Sequence, residues 1–480
     1  MSFNKKAVSG VKWTTASSLY VSITQVLQII ILSKILSPKD FGLMAILVFL
    51  INFSNIFIDL GLANAVIYKK EVSRIQLSTL FYTNILVGVF IFLIMYFSSA
   101  LISSFYDEHA LEYLVKFISV VFLIIPLGQQ YQALLRKNLD FKSLALRDII
   151  SRTASFVVVI ALAYQGKGIM SLVWGTIVYN LLSTVLLINA GKKLFAPSFL
   201  FAFSSISELL RFGFFQMGEK IVNYLNKEVD TLIIGKLVGL EALGLYNIAK
   251  DFISKPYQII NPILTKVSFP LMAKVQDNLI AVKDIYMRLI KYLSVINSIV
   301  FMFCLAFAQD VILLFFGEKW INATPILQIL SVYMLIRSIS NPVGSLQLAL
   351  GKPDLGFYWN LALLFIVPVF VYVGSFWGII GVSIALLACQ IALYYPSWKY
   401  MVNNLITVSF VEFNKIQVSS WISAGVACLA AHLGMSLFEI SNVIIRFFSA
   451  GVFSVILFLI LLQVTDRKII KELKIFLVKK

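Results

Sequence analysis

The sequence predicts an all-α polytopic membrane protein with about fourteen transmembrane helices. Three observations lead there. Of the 480 residues, 60% are hydrophobic and 13% charged, where a soluble domain carries about 25% charged residues. Apolar stretches of ~18 residues or more, long enough to cross a bilayer, recur from end to end. The connectors between them are short, none beyond about twenty residues, so neither face carries a soluble domain. A transmembrane barrel would show alternating segments of ~10 residues instead.

Taken in order, the helices fall at 11–33, 41–64, 78–104, 112–135, 147–164, 169–191, 209–235, 243–271, 285–308, 323–350, 357–376, 378–398, 416–436 and 442–464. The first follows the basic stretch MSFNKKAVSGVKWTTAS, contains Gln25 and Gln28, and ends without a small-residue cleavage site. It reads as a retained helix, not a cleaved signal. The second opens on the connector SKILSPKDFGLMA, residues 33–45, where Asp40 suits a helix N-terminus. The net charge of +17 sets the orientation. With both termini inside, cytoplasmic connectors and tails hold about 28 of the 40 Lys and Arg, among them Arg136, Lys137, Lys192 and Lys193. The outer face keeps about seven, including Lys34, Lys39 and Lys236. The basic balance is thus an orientation signal, and no nucleic-acid partner is expected. Cys304, Cys389 and Cys428 sit inside apolar runs without metal or disulfide spacing, and His109 and His432 stand alone. No metal site is expected.

The connector at 33–45 recurs as GKLVGLEALGLYN, residues 235–247. At an offset of 202, Lys34 meets Lys236, Gly42 meets Gly244, Leu43 meets Leu245 and Ile46 meets Ile248. A second echo sets LLRKNLDF, residues 134–141, against LALGKPDL, residues 348–355, with Asp140 opposite Asp354. Both echoes lie six spans apart, an even number, so both halves enter the membrane from the same side. This predicts a parallel repeat, with the substrate path between two lobes. The lobes are residues 1–203 and 204–400, followed by two further helices and a basic tail at 401–480.

LSKILSPKDFGLMAI followed by DLGLANAVI, residues 59–67, resembles the start of Wzx-type polysaccharide flippases, within the multidrug/oligosaccharidyl-lipid/polysaccharide exporter superfamily. EVDTLIIGKLVGLEALGLYNIAK, residues 228–250, and INPILTKVSFPLMAKVQDN, residues 260–278, resemble the same family in the second lobe. The likeness runs toward colanic-acid and teichuronic-acid exporter types. It implies a V-shaped architecture of two six-helix lobes. It also implies a non-enzymatic function: flipping an undecaprenyl-pyrophosphate-linked oligosaccharide from the inner to the outer leaflet of a bacterial cytoplasmic membrane by alternating access. The implied partners are that lipid-linked substrate, membrane lipids and polysaccharide polymerase machinery. The protein is read as a monomer without a cofactor, its cycle open to H+ or Na+ coupling. The family supplies no universal set of site residues, so these are read from this sequence.

Ionisable residues inside membrane helices are costly and mark functional candidates. The first lobe shows almost none at mid-depth; Lys12, Asp59 and Arg152 fall near span ends. The second lobe carries Glu219, Lys220, Lys227, Glu228, Asp230, Lys250, Asp251, Lys255 and Arg337. Spans 7 and 8 form a hairpin in which Asp230 stands level with Lys250, while Asp251 and Lys255 share a face at i, i+4. Two readings stand: structural pairing, or a hydrated wall with Lys227, Lys250 and Lys255 facing substrate and Asp230, Asp251, Glu219 and Glu228 coupling ions. Arg337 is drawn at the midpoint of span 10, followed by Asn341, and a guanidinium suits phosphate. It serves substrate or pairs with Glu219, Glu228 or Asp251. Gln25, Gln28, Asn223 and Tyr224 are candidates for sugar hydroxyls, or pack between helices. Pro256, Pro262 and Pro270 in span 8 are hinge candidates. Two rival functions remain. A drug or organic-cation antiporter predicts an acid-dominated cavity. A membrane polysaccharide polymerase needs catalytic groups on a sizeable outer loop.

Overall fold

The structure, a computed structural model, describes residues 3–60, 66, 69, 71–199, 201–340, 342–438 and 442–465. The end of the quoted stretch DLGLANAVI and the basic tail therefore lie largely outside the described residues. The chain divides into two compact units, Met1–Gly244 and Leu245–Lys480.

In the first unit the helices are α1 (Phe3–Ile35), α2 (Pro38–Asp59), α3 (Arg74–Tyr106), α4 (Ala110–Ile118), α5 (Val121–Lys137), α6 (Phe141–Tyr164), α7 (Met170–Gly191) and α8 (Ser207–Ile233). A ninth, α9 (Leu240–Lys274), begins here and runs on into the second unit. The start of α2 explains its connector. Ser37 is the N-cap: its Oγ accepts from the Asp40 amide at 3.2 Å, and Asp40 accepts from the Ser37 amide at 2.9 Å. Reciprocal capping of this kind satisfies two otherwise orphaned donors. Asp140 caps α6 by accepting from the Ser143 amide at 3.2 Å. The single expected span at 112–135 is two helices, α4 and α5, broken at Ser119 and Val120.

The repeat has a physical counterpart. A Cβ on Gly42 would lie 1.9 Å from the Leu240 carbonyl oxygen, and one on Gly244 would lie 1.8 Å from that of Pro38. Pro38 and Leu240 are themselves 202 residues apart, so the contact is reciprocal in the register read from sequence. Only glycine lets two backbones approach this closely. The two echoing connectors also engage adjacent acids: Lys39 pairs with Glu108 at 2.6 Å and Lys236 with Asp107 at 2.8 Å.

The second unit holds the rest of α9, then α10 (Leu279–Ala306), α11 (Ala308–Phe315), α12 (Thr324–Ser340), α13 (Val343–Ala349), α14 (Pro353–Ser375), α15 (Gly378–Ser397), α16 (Phe410–Leu437) and α17 (Val443–Thr465). Pro256, Pro262 and Pro270 all sit within α9. A core of Tyr286, Ile290, Ile339, Leu346 and Phe413 joins α10, α12, α13 and α16. Arg446 of α17 pairs with Asp310 of α11 through Nε and Nη2. Cys304, Cys389 and Cys428 are free and buried.

Among the described residues, eleven helical segments are long and apolar enough to cross a membrane. The other three expected spans are α6, α8 and α9, helices of 24, 27 and 35 residues. Charged residues keep them below the apolar threshold, and the expected fourteen is compatible with this set.

Candidate functional site

Those three polar helices direct attention to where their charges go. In the first unit, α2, α5, α6, α7 and α8 line an open cavity of about 550 Å³. Its wall follows helical periodicity. Asn55 and Asp59 come from α2; Ile125, Gln129, Gln132 and Arg136 form one face of α5; Arg147 comes from α6; Tyr179, Asn180, Ser183, Thr184 and Leu187 come from α7; Lys220 comes from α8. Three cations thus face a single carboxylate, with four amides among them.

The charges are partly engaged. Lys220 Nζ meets Asp59 Oδ2 at 2.5 Å, and Arg147 Nη2 meets Asp148 Oδ1 at 2.5 Å. The Arg152 guanidinium lies 4.8 Å from the centre of the Tyr179 ring, a cation–π contact. Three of the lining residues also carry a buried polar atom without a hydrogen-bond partner, Asn55 Oδ1, Gln129 Oε1 and Arg147 Nε, as does Arg152 at Nε beyond the lining. The volume suits a small-molecule site or one portion of a larger ligand.

This corrects the expectation of an ion-poor first lobe. Helix α6 begins at Phe141, not 147, so Arg152 lies at its centre and Arg147 inside it. Lys220, taken with the second-lobe charges, lines this first-unit cavity. The signal was present in the sequence: Gln129, Gln132 and Arg136 recur at i, i+3, i+7 on an otherwise apolar helix.

Apart from Lys220 and Asp59, noted only as ionisable, none of the substrate-binding, ion-coupling or hinge candidates read from sequence lines this cavity. Gln25 and Gln28 are half-buried on α1. The Tyr224 hydroxyl donates to the Phe49 carbonyl at 3.0 Å, and its ring packs beside Phe49 and Phe53. Asn223 and Glu219 are exposed, Lys227 pairs with Glu228 at 3.4 Å, and buried Asp230 accepts from the Thr231 amide at 2.8 Å. In the second unit Lys250 lies 5.7 Å from the centre of the Tyr246 ring, Lys255 is half-buried and Asp251 exposed. Arg337 lies on α12, three residues before Ser340, the last described residue of that helix. Its guanidinium binds the Tyr333 hydroxyl and lies 5.5 Å from that ring's centre. Asn341 lies outside the described residues.

A polytopic helical membrane protein with a cation-rich, amide-lined cavity in its first unit has the architecture expected of the exporters that the sequence resembles. The fold agrees with the solved structure of the lipid II flippase MurJ in an inward closed conformation: TM-score 0.76, covering 95% of this chain and 99% of that one, at 16% identity. Residues 31–325 match the family described as polysaccharide biosynthesis protein, and the chain belongs to that family. It is 33% identical over 363 residues to the teichuronic acid biosynthesis protein TuaB of Bacillus subtilis (strain 168), covering 76% of this chain and 75% of that protein. It is 30% identical over 414 residues to the lipopolysaccharide biosynthesis protein WzxC of Escherichia coli (strain K12), covering 86% and 84%.

Proposed function

We propose that the protein flips an undecaprenyl-diphosphate-linked oligosaccharide from the inner to the outer leaflet of a bacterial cytoplasmic membrane, for polysaccharide assembly. The first-unit cavity carries this reading. Guanidinium groups pair with phosphate in two-pronged, charge-assisted hydrogen bonds, and neighbouring amides and hydroxyls match sugar hydroxyls. Three cations against one carboxylate suit an anionic passenger, whereas a drug-cation antiporter calls for the reverse balance. The protein acts as a transporter, not an enzyme, and passes its product to a polymerase.

The rest of the reading follows. The chain sits with both termini in the cytoplasm, as a monomer, in lobes of residues 1–203 and 204–400 with two additional helices and a tail. Arg337, Lys250 and Lys255 contribute a second-lobe wall to the path, and H+ or Na+ drives the return step. The test is transport of a fluorescent lipid-linked oligosaccharide by purified protein in vesicles, with and without an imposed ion gradient. Movement of organic cations but not of the lipid-linked sugar would replace this reading with the antiporter.

A further inference from the structure

The one carboxylate in the cavity wall holds one of its three cations. Asp59 closes α2, Lys220 stands mid-way along α8, and their side chains meet at 2.5 Å. The pair is not sealed: the Asp59 and Lys220 side chains keep 23% and 38% of their exposure. Its position matters more than its strength. Arg147 is neutralised by Asp148, which does not line the cavity, whereas the partner of Lys220 lies in the wall itself. Asn55, one turn before Asp59, and Gln129 on α5 line the same cavity, together with Arg136 and Arg147.

We propose that Asp59 is an internal stand-in for the anion of the passenger: it occupies Lys220 in the empty cavity and yields it when an anionic oxygen group enters. The proposal rests on the cavity receiving an anionic head group, as read above. Its consequence is an asymmetry. A lysine engaged by its own carboxylate is available only part of the time, and apparent affinity falls by that fraction. Removing the carboxylate therefore tightens anion binding, while removing the lysine weakens it. A pair that merely holds α2 to α8 gives losses in both variants.

The experiment is titration of full-length protein, in phosphatidylcholine nanodiscs, with inorganic diphosphate by calorimetry. Asp59→Asn is expected to tighten binding by about 3- to 10-fold and Lys220→Gln to weaken it by about 10-fold. The double variant should match Lys220→Gln, because Asp59 acts only through Lys220. Weakening in both single variants, or no change in either, overturns the proposal. Should Asp59→Asn fail to accumulate, Asn55→Asp serves: a second carboxylate one turn back weakens binding, and unchanged affinity overturns the proposal. Repeating the titration with phosphatidylglycerol present separates the sources of the anion. Unchanged diphosphate affinity supports a passenger anion, and its loss gives the site to a lipid head group and overturns the proposal. Vesicle transport reads the parent function separately. Transport with same-sign effects of the two variants removes only the stand-in role, while absent transport by the unaltered protein removes the flippase reading.

Discussion

Arg147 of the first unit and Arg337 of the second unit are alike in sequence, each a guanidinium on a greasy helix, yet their surroundings differ. Arg147 faces a chamber of about 550 Å³, is held at one edge by Asp148, and keeps a buried Nε–H without a partner. Arg337 binds the hydroxyl of Tyr333 one turn earlier on its own helix and lies beside that ring. The first arrangement sets a guanidinium in the wall of a cavity. The other directs part of its hydrogen-bonding capacity into the helix that carries the arginine. A cation on a membrane helix is a functional candidate in either setting, and the difference lies in what surrounds it.

The largest expected effect tests that contrast. Arg147→Ala should reduce vesicle transport of the lipid-linked oligosaccharide by roughly 10- to 100-fold, the worth of a lost charge-assisted contact, with protein still in the membrane fraction. Arg147→Lys should restore part of it, since charge returns without the planar fork. Equal losses from Arg147→Ala and Arg337→Ala would erase the distinction between the two regions.

Packing offers the next comparison. Gly42→Ala or Gly244→Ala forces a methyl onto a carbonyl oxygen at 1.9 or 1.8 Å, and overpacking of this kind costs ~1–3 kcal/mol. Gly425, within α16 of the second unit, has no atom within 4 Å of a built Cβ. Gly425→Ala should therefore stabilise by up to ~1 kcal/mol through helix propensity. Thermal unfolding in detergent reads both: midpoints fall for the first pair and hold or rise for the third. A smaller effect is expected from Arg337→Ala, a loss of about 2- to 5-fold in transport, because its removal also frees the Tyr333 hydroxyl at a cost of ~1–3 kcal/mol that is structural, not functional. Tyr333→Phe separates the two: an unchanged rate assigns the loss to the guanidinium.

The same contrast shows what the sequence made legible. Apolar run length carried the helical bundle, and the 202-residue register matched the two glycines that the structure brings together, without saying that they would touch. The candidate site was less visible. Arg136 and Arg147 flank the short turn around Asp140, where a basic residue reads as an orientation signal, and Lys220 follows the long connector at 192–206. Each charge is ordinary in one dimension. They become a wall only when α2, α5, α6, α7 and α8 close around one space, and pairing at a separation of 161 residues, as between Asp59 and Lys220, has no local signature. Arg337 was visible for the converse reason. A lone arginine in an apolar run stands out in sequence, and the structure adds the neighbouring Tyr333 hydroxyl as one partner.

The smallest expected effect concerns Pro262 in α9, where no equivalent exists in α2. Its ring removes a backbone donor, so the Gln258 carbonyl loses its usual partner and the helix is predisposed to bend. The residue before it fixes the surroundings of that bend. Asn261 is buried, donates from Nδ2 to the Ser338 carbonyl at 2.7 Å, and accepts at Oδ1 from Asn297 Nδ2 at 3.1 Å. These bonds tie α9 to both α12 and α10 whatever residue 262 is, so Pro262→Ala should leave folding intact. A hinge that flexes during the cycle needs the missing hydrogen bond; a static kink does not. Pro262→Ala should then lower transport by about 2- to 3-fold while raising stability by up to ~1 kcal/mol, as a regained helical bond does. Stability that rises with transport unchanged would assign the proline to shape alone and leave the Asn261 network as what holds α9 in place.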